Sequence, residues 1–481
     1  MLFNSIDFAV FLPLVFLLYW FLAKDNRKFQ NLLIVLSSFF FYGFWDWRFL
    51  NLLLASILID YFVAILIEKT DVPSKRKVLL FTSLFFNLGL LGFFKYYNFF
   101  IDNFCEAFTF FGNPINKSSL QIILPVGISF YTFQTLSYTL DVYRRKINST
   151  NDFIAFAAYV SFFPQLVAGP IERASNLLPQ FFKNRTFDYS KAVDGLKQML
   201  WGFIKKMVIA DNCAVFANDI FNHSADYSGS TLLLGAVFFA FQIYGDFSGY
   251  SDIAIGCARL FGFDLMKNFN FPYFSRDIAE FWRRWHISLT TWFRDYVYVP
   301  LGGSRASTWT KIRNTLIVFL LSGFWHGANW TFIVWGALNA LFFLPLLLSN
   351  KNRQNLGTVA EGKKFPSFKE FTGMLTTFLL VLVGWIFFRA ENISHAIEIF
   401  SEIFSSSILY IPELPRKVFL LAPLISILLV IEWIGRNNPY PIYETAKRWH
   451  WFFRWTFYAV LIFILGMYMH TSETPFIYFQ F

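Results

Sequence analysis

Two of the six histidines stand out because of the residues around them. His326 lies between an apolar run that starts at Ile312 and another that begins at Trp330. Fourteen helical residues from Ile312 rise roughly 21 Å, which is less than the roughly 30 Å thickness of the bilayer hydrocarbon. We therefore expect His326 to lie at membrane depth, where an ionisable side chain is by default a candidate functional residue.

The second histidine, His286, lies in a segment dense in arginine and aromatic residues. At helical spacing, one face of this segment collects Trp282, Trp285, Leu289 and Trp292. His286 falls on the same side, so the spacing predicts one amphipathic helix that carries a histidine on its apolar face. An interfacial helix anchored by Trp and Arg is the alternative that needs no chemistry.

Two histidines in such surroundings suit acyl transfer. Attack by a hydroxyl on a thioester requires a base with a pKa near neutrality, and histidine is the side chain that meets this need. An intramembrane cavity also limits hydrolysis of the donor. We expect His326 and His286 to be the catalytic residues.

Polar residues near the histidines are candidates for supporting roles. Asp246 and Asp252 interrupt an apolar run, and buried carboxylates are costly unless they are paired. We expect them to pair with lysine or arginine or to orient a histidine, and a purely structural network is the alternative. Trp325 and Asn329, on either side of His326, are further candidates for supporting or orienting the histidines.

Other function classes lack their signatures in the sequence. The three cysteines, Cys105, Cys213 and Cys257, are far apart, so we expect neither a metal site nor a disulfide framework. Neither a G-x-S-x-G elbow nor a nucleotide-binding glycine loop accompanies the histidines. The net charge of +10 is explained by basic cytoplasmic loops, so we expect no nucleic-acid partner.

The elements that position these residues are apolar segments. Hydrophobic residues make up 56% of the 481 residues and charged residues only 15%, against about 25% in soluble proteins. Apolar segments lie near 8–23, 30–46, 49–67, 78–94, 120–140, 153–168, 195–210, 231–262, 312–349, 371–388, 418–435 and 455–470. We predict an all-α polytopic membrane protein with about 11 transmembrane helices, within two.

Proline, glycine and basic residues refine this topology. Segment 153–172 contains Pro164, Gly169 and Pro170, and broken backbone at membrane depth predicts a re-entrant segment. Basic stretches, including 173–206 with its two final lysines, are expected in the cytoplasm. The N-terminus lacks the pattern of a cleaved signal peptide. We expect one membrane domain over 1–481, with N-terminal helices over about 1–120, a motif-bearing core over about 121–350 and C-terminal helices over about 371–481.

Six ordered motifs carry a family resemblance. They are FYTFQTLSYTLDVYR at 130–144, FPQLVAGP at 163–170, DFSGYSD at 246–252, FWRRWHISL at 281–289, YVPLGG at 298–303 and FWHGANW at 324–330. With the opening MLFNS and the closing PFIYFQF at 475–481, the chain resembles the membrane-bound O-acyltransferase (MBOAT) superfamily, most of all its bacterial alginate O-acetyltransferase membrane-subunit branch. The resemblance covers nearly the whole chain.

The resemblance implies a fold and roles for both histidines. The fold is a ring of transmembrane, re-entrant and amphipathic helices around a central tunnel. His326 matches the superfamily's catalytic histidine and is expected to act as general base or to carry the acyl group. His286 matches the second position and is expected to position or polarise the thioester. Four cations are candidates for binding donor phosphates: Lys267, Arg276, Arg283 and Arg284. Ordinary positive-inside residues are the alternative for these four.

The resemblance also implies substrates, partners and location. We expect no bound cofactor, with acetyl-CoA as the thioester donor. A cell-surface or exported polysaccharide such as alginate is expected as the acceptor. The protein itself is expected in the bacterial cytoplasmic (inner) membrane. A periplasmic or extracellular hydrolase-like acetyltransferase is expected as its partner. The alternatives are O-acylation of peptidoglycan, D-alanylation of a teichoic-acid-like polymer, a polysaccharide or proton-coupled transporter, and a non-catalytic scaffold.

Overall fold

The structure is a computed structural model that describes residues 1–24, 26–110, 120–305, 307–412, 414–415, 418, 421–445, 447, 449–469 and 476–477. Over these residues the secondary structure is helical, without a β-strand. The α-helices are Ile6–Leu17, Arg27–Asp46, Leu50–Lys69, Pro73–Leu91, Tyr97–Phe110, Ile128–Tyr143, Phe153–Ser161, Phe163–Leu166, Ala174–Leu177, Tyr189–Phe203, Asp211–Asn222, Gly229–Leu260, Ile278–Arg284, Ile287–Phe293, Thr308–His326, Trp330–Leu348, Phe368–Arg389, Ile393–Ile403, Leu421–Ile434 and Trp451–Tyr468. Four π-helices, Leu18–Leu22, Gly92–Tyr96, Ile204–Ala210 and Arg294–Tyr298, continue preceding helices. The 3₁₀ turns are Trp47–Phe49, Leu178–Phe182, Ser224–Asp226, Pro272–Phe274, Gly303–Arg305 and Ser406–Leu409.

Several helices have the length and composition of membrane spans. Within the described residues, six helical stretches qualify: Arg27–Lys69, Pro73–Phe110, Gly229–Leu260, Trp330–Leu348, Phe368–Arg389 and Trp451–Tyr468. Two shorter apolar helices, Ile6–Leu22 and Leu421–Ile434, accompany them. The prediction of an all-α membrane protein with several apolar helices is therefore confirmed. The closing motif at 475–481, apart from Phe476 and Ile477, and residues 111–119 lie outside the described residues.

The chain forms two compact units, residues 1–192 with 257–266 and residues 193–256 with 267–481. In the first unit, the predicted re-entrant segment is two short buried helices, Phe153–Ser161 and Phe163–Leu166. Nine and four residues are too few to cross the hydrocarbon, which takes about 20. Gln134 and Gln165 both donate to the carbonyl of Tyr159, which satisfies backbone near the break.

The second unit contains the residues singled out for chemistry, and glycines set its closest helix contacts. A Cβ at Gly202 would lie 2.6 Å from the carbonyl oxygen of Gly249, and one at Gly249 would lie 2.7 Å from that of Gly202. No side chain fits at such distances, so the helices Tyr189–Phe203 and Gly229–Leu260 touch through backbone. This contact brings the π-helix Ile204–Ala210 against the middle of the long helix.

Thr308–His326 and Trp330–Leu348 form a tight helical hairpin with His326 at its turn. A Cβ at Gly323 would overlap the carbonyl oxygen of Phe332, and a Cβ at Gly336 would overlap that of Phe319. The two glycines therefore fix the spacing of the hairpin. The helix runs without a break through Gly323, so this glycine serves helix contact and does not bend the chain.

The predicted continuous amphipathic helix around His286 is wrong. The segment divides into Ile278–Arg284 and Ile287–Phe293, because His286 adopts a left-handed conformation with φ 43° and ψ 54°. The chain from Asn268 to Asn270 supplies hydrogen bonds at this break. Asn270 donates its backbone N–H to the carbonyl of Arg284, and Ile287 donates its own to the carbonyl of Asn268, each at 2.9 Å.

Candidate active site

His286 and His326 line the same cavity, which has a volume of about 50 Å³. Its walls are Trp282, Trp285, Leu289, Thr290, Phe293, Val318, Phe319 and Ser322. One buried water molecule needs a cavity volume of at least about 10–15 Å³, so this cavity has room for about three to five groups of the size of water. An acetyl group has three heavy atoms. The cavity therefore offers room for a small acyl group between two histidines, within mostly apolar walls.

His326 is the last residue of its helix and is 3% exposed. Aromatic rings enclose the imidazole, with ring centroids at 5.0 Å for Trp325, 5.0 Å for Trp335 and 5.3 Å for Phe388. Carbonyl groups at a helix C-terminus favour positive charge, so this position stabilises an imidazolium that forms during proton transfer. Such an environment suits a group that takes up a proton transiently.

Trp325 and Asn329, the two predicted supporting residues next to His326, make different contacts. Trp325 contacts both histidines, with its ring centroid 6.0 Å from His286 and 5.0 Å from His326. Asn329 instead caps the helix Trp330–Leu348 by accepting from the N–H of Thr331 at 3.0 Å, and it donates to the carbonyl of Glu391 at 2.7 Å. Trp325 belongs to the surroundings of the site, whereas Asn329 closes the turn behind His326.

His286 is 1% exposed and its ring is held from two sides. Phe247 packs edge-on against it at 4.6 Å, and the side-chain oxygen of Asn268 lies 3.0 Å from Nδ1. Burial lowers the pKa of His286 to about 3, so the imidazole is neutral near pH 7. The left-handed backbone costs of order 1–3 kcal/mol, and its hydrogen-bonded neighbours maintain it.

Asn268 is a site residue that the sequence analysis missed. Its side-chain oxygen lies 2.9 Å from the hydroxyl of Ser288 as well as 3.0 Å from the His286 ring, and its amide donates to Ser251 at 3.0 Å. It lies 18 positions before His286 in a segment without helical or strand periodicity. The sequence signal was the alternation of asparagine and phenylalanine in the run NFNF at 268–271, which begins at Asn268.

The two acids of the DFSGYSD motif pair with lysines. Lys206 lies 2.8 Å from Asp246, and Lys205 lies 2.5 Å from Asp252. Asp246 also accepts from the backbone N–H of Ile477 at 2.7 Å. The partners are lysines of the π-helix Ile204–Ala210, which gives both acids a charge-balancing role.

The two lysines are buried inside the protein. The basic pattern predicts a cytoplasmic stretch that ends at these residues, and Lys205 is 3% exposed and Lys206 is 1% exposed. Adjacent lysines resemble a solvated loop in sequence. Their burial follows from acids that lie about 40 positions later on a helix packed against them.

Three of the four candidate donor-binding cations form ion pairs or hydrogen bonds with other residues of the protein. Arg276 and Arg284 both bind the carboxylate of Glu280, each at 3.0 Å or less, and both donate to the carbonyl of Gly357. Arg283 donates to the carbonyls of Asn352 and Asn355 at 2.7 and 2.9 Å. These arginines fasten the loop after Trp330–Leu348 to the helix Ile278–Arg284.

Lys267 differs from the three arginines. It lines a polar cavity of about 20 Å³ together with Lys205, Asp252 and Glu432, and its ammonium donates to the side chain of Asn270 at 2.8 Å. Burial lowers the pKa of Lys267 to about 8. Ser251 and Asn268 line the same cavity. Among the four candidates, Lys267 is the cation that faces a cavity beside the residues that hold His286.

Comparisons with known proteins identify the family of the chain. The family model described as MBOAT, membrane-bound O-acyltransferase family, matches residues 129–364, which include both histidines. A probable alginate O-acetylase of Pseudomonas aeruginosa is 40% identical over 419 residues, which cover 86% of this chain and 77% of that protein. A peptidoglycan O-acetyltransferase of Helicobacter pylori is 39% identical over 432 residues, covering 83% and 79%. A teichoic acid D-alanyltransferase of Streptococcus thermophilus is 28% identical over 297 residues, covering 57% and 70%.

Proposed function

The chain belongs to the membrane-bound O-acyltransferase family, and we propose that this O-acyltransferase moves an acetyl group from cytoplasmic acetyl-CoA across the membrane for O-acetylation of an exported polysaccharide. The observation that carries the proposal is the small cavity lined by both His286 and His326. It places two imidazoles beside a space of acetyl size, and its aromatic walls limit the entry of water that would hydrolyse the thioester.

The chemistry follows from the position of His326. Its imidazole takes the proton of the attacking hydroxyl while the oxygen forms an ester bond to the thioester carbonyl carbon. The carbon–sulfur bond breaks, and the thiol of CoA leaves with the proton that His326 returns. Direct attack by His326, with a transient acyl-histidine, is the alternative route, in which the acetyl group passes to the hydroxyl in a second step.

The size and polarity of the cavity favour acetyl over D-alanyl. A D-alanyl group carries an ammonium, and the ten described residues that line this cavity include no acid to balance that charge. An unpaired charge between such walls is costly. The acetyl group is neutral, which is the reason that we propose it as the transferred group.

The donor reaches the cavity from the cytoplasm in this proposal. Lys267 is the cation that we assign to a donor phosphate, because it faces a cavity and its partner is a neutral asparagine. Arg276, Arg283 and Arg284 are expected to contribute to binding only through the loop that they hold.

The membrane arrangement extends the same proposal. We propose about 11 transmembrane helices in a ring around a tunnel, in the bacterial inner membrane. Beyond the six apolar stretches, the candidate spans are Ile6–Leu22, Ile128–Tyr143, Tyr189–Phe203, Thr308–His326 and Leu421–Ile434. A tunnel is the arrangement that lets a cytoplasmic donor and an outer acceptor meet at a buried histidine.

The acceptor has two candidates of similar support. The relative from P. aeruginosa carries the name of an alginate O-acetylase, and the relative from H. pylori that of a peptidoglycan O-acetyltransferase, at nearly equal identity. We propose an alginate-like exopolysaccharide first and peptidoglycan second. A hydrolase-like acetyltransferase outside the membrane is the proposed partner that places the acetyl group on the polymer.

The test measures the amount of ester-bound acetate on both polymers in cells that lack this protein. Cells are complemented with the wild type or with His326→Ala at equal membrane level. The proposal expects the wild type to restore acetate and His326→Ala to lower it by at least about 100-fold, the usual range for loss of a general base. Restoration by both proteins refutes the role of His326, and no change on either polymer refutes the proposed acceptors.

A further inference from the structure

We propose that Asn268 is a positioning residue that fixes His286 as the Nδ1–H tautomer and so makes its Nε2 a proton acceptor in the cavity. The inference rests on the proposed function, because it assigns the manner in which His286 acts in the same site. It adds a residue and a direction of proton transfer that neither the motifs nor the family comparison supplies.

The first step is the orientation of the Asn268 amide. The backbone N–H of Ser288 points at one side-chain atom of Asn268 at 3.3 Å, and a backbone N–H is always a donor. That atom must be the oxygen, Oδ1. The amide nitrogen, Nδ2, then faces the hydroxyl of Ser251 at 3.0 Å, where it donates. The orientation is set by a main-chain group and does not depend on the histidine.

The second step is the tautomer of His286. Its Nδ1 lies 3.0 Å from the same Oδ1, which accepts only. Nδ1 must therefore carry the proton, and the neutral ring keeps its lone pair on Nε2. Asn268 and His286 are 0% and 1% exposed, so water does not compete for this bond. The backbone bond from Ile287 to the carbonyl of Asn268 holds the two residues in register.

The tautomer decides which chemistry is open to His286. Polarising a thioester carbonyl requires a donor on the cavity side, and a lone pair on Nε2 repels that carbonyl oxygen. The same lone pair accepts a proton or a hydrogen bond from a hydroxyl or from a protonated His326. His286 is thus expected to accept a hydrogen bond or a proton from the acceptor hydroxyl or from a protonated His326. It is not expected to polarise the thioester.

The test uses membrane vesicles that contain the full chain, its cellular partners and the polymer, with radiolabelled acetyl-CoA as probe. Maximal rate and KM are measured between pH 3 and 9. Asn268→Ala is expected to lower the maximal rate by roughly 10- to 100-fold, the cost of leaving a buried donor unsatisfied, with KM for acetyl-CoA within about twofold. Asn176→Ala, which removes an amide bonded to Glu172 in the first unit, is the control and should keep the wild-type rate.

Asn268→Asp gives the signature that a merely structural role would not produce. A carboxylate against Nδ1–H stabilises the imidazolium, so the acidic limb of the rate profile is expected to move upward by about 1–3 pH units. An active Asn268→Asp protein with an unshifted limb overturns the proposal, as does Asn268→Ala at the wild-type rate. If Asn268→Ala does not insert, the near-isosteric Asn268→Asp decides alone.

His286→Ala in the same vesicles separates this proposal from the function on which it rests. An inactive His286→Ala with normal Asn268 variants overturns the positioning role alone. An active His286→Ala removes His286 from the proposed reaction, and the inference about Asn268 falls with it.

Discussion

The hairpin that presents His326 is expected to tolerate no side chain at Gly323. A Cβ there would overlap the carbonyl oxygen of Phe332, and restoring ordinary contact requires the two helices to separate by about 1 Å. Overpacking of this kind costs about 1–3 kcal/mol of stability. The separation also displaces His326, three residues further along the helix, and a 1 Å misplacement near reacting atoms costs about 100-fold in rate.

The measurement compares Gly323→Ala with Gly336→Ala and Gly466→Ala. Gly336 meets the carbonyl of Phe319 from the other helix, so the same loss of rate is expected. Gly466 has open space around the position of a Cβ and should keep activity within about twofold. The assay is transfer of radiolabelled acetyl to polymer in vesicles, with thermal unfolding of each purified protein. Wild-type activity in Gly323→Ala would refute the argument that backbone contact positions His326.

Two further predictions follow from the buried charges. Lys206→Met leaves two buried acids, Asp246 and Asp211, each 2.8 Å from the ammonium, without their shared cation. The change is expected to cost about 3–5 kcal/mol of stability, seen as a lower thermal midpoint; adding Asp246→Asn should recover part of this loss, and no change in Lys206→Met would contradict the ion pairs. For donor binding, KM for acetyl-CoA is expected to rise above about pH 8, because Lys267 has its pKa lowered to about 8 and loses its positive charge as the pH rises through that value. Lys267→Arg should keep KM flat to pH 9, since arginine stays protonated. Arg283→Ala serves as control with the wild-type pH dependence of KM, and a flat wild-type profile would argue against Lys267 as the donor cation.

Features that depend on composition and local pattern could be predicted from the sequence. Apolar stretches predicted the membrane helices, because their lengths match the hydrocarbon. Pro164 and Gly169 predicted the broken segment at 153–172, which forms two short helices. The cost of a buried carboxylate predicted that Asp246 and Asp252 would find partners, although the identity of the lysines did not follow. These inferences needed no knowledge of which segments pack together.

Long-range partners account for the features that local pattern did not predict. The helical spacing around His286 satisfied every local criterion for one continuous helix. It failed because backbone and side-chain groups of Asn268, 18 positions earlier, bond to the segment and hold His286 in a left-handed conformation. The burial of Lys205 and Lys206 did not follow from local pattern for the same reason, since the acids that pair with them lie on another helix.

The failure at His286 carries information about function. A left-handed histidine costs of order 1–3 kcal/mol, and a continuous helix would avoid that cost. The break instead directs the Nδ1 of His286 to Asn268 and leaves the ring on the wall of the cavity that His326 shares. Residues that violate local preference and are held by several buried partners are those expected at functional sites. The strained backbone, the amide orientation and the shared cavity therefore support one another as marks of the proposed catalytic centre.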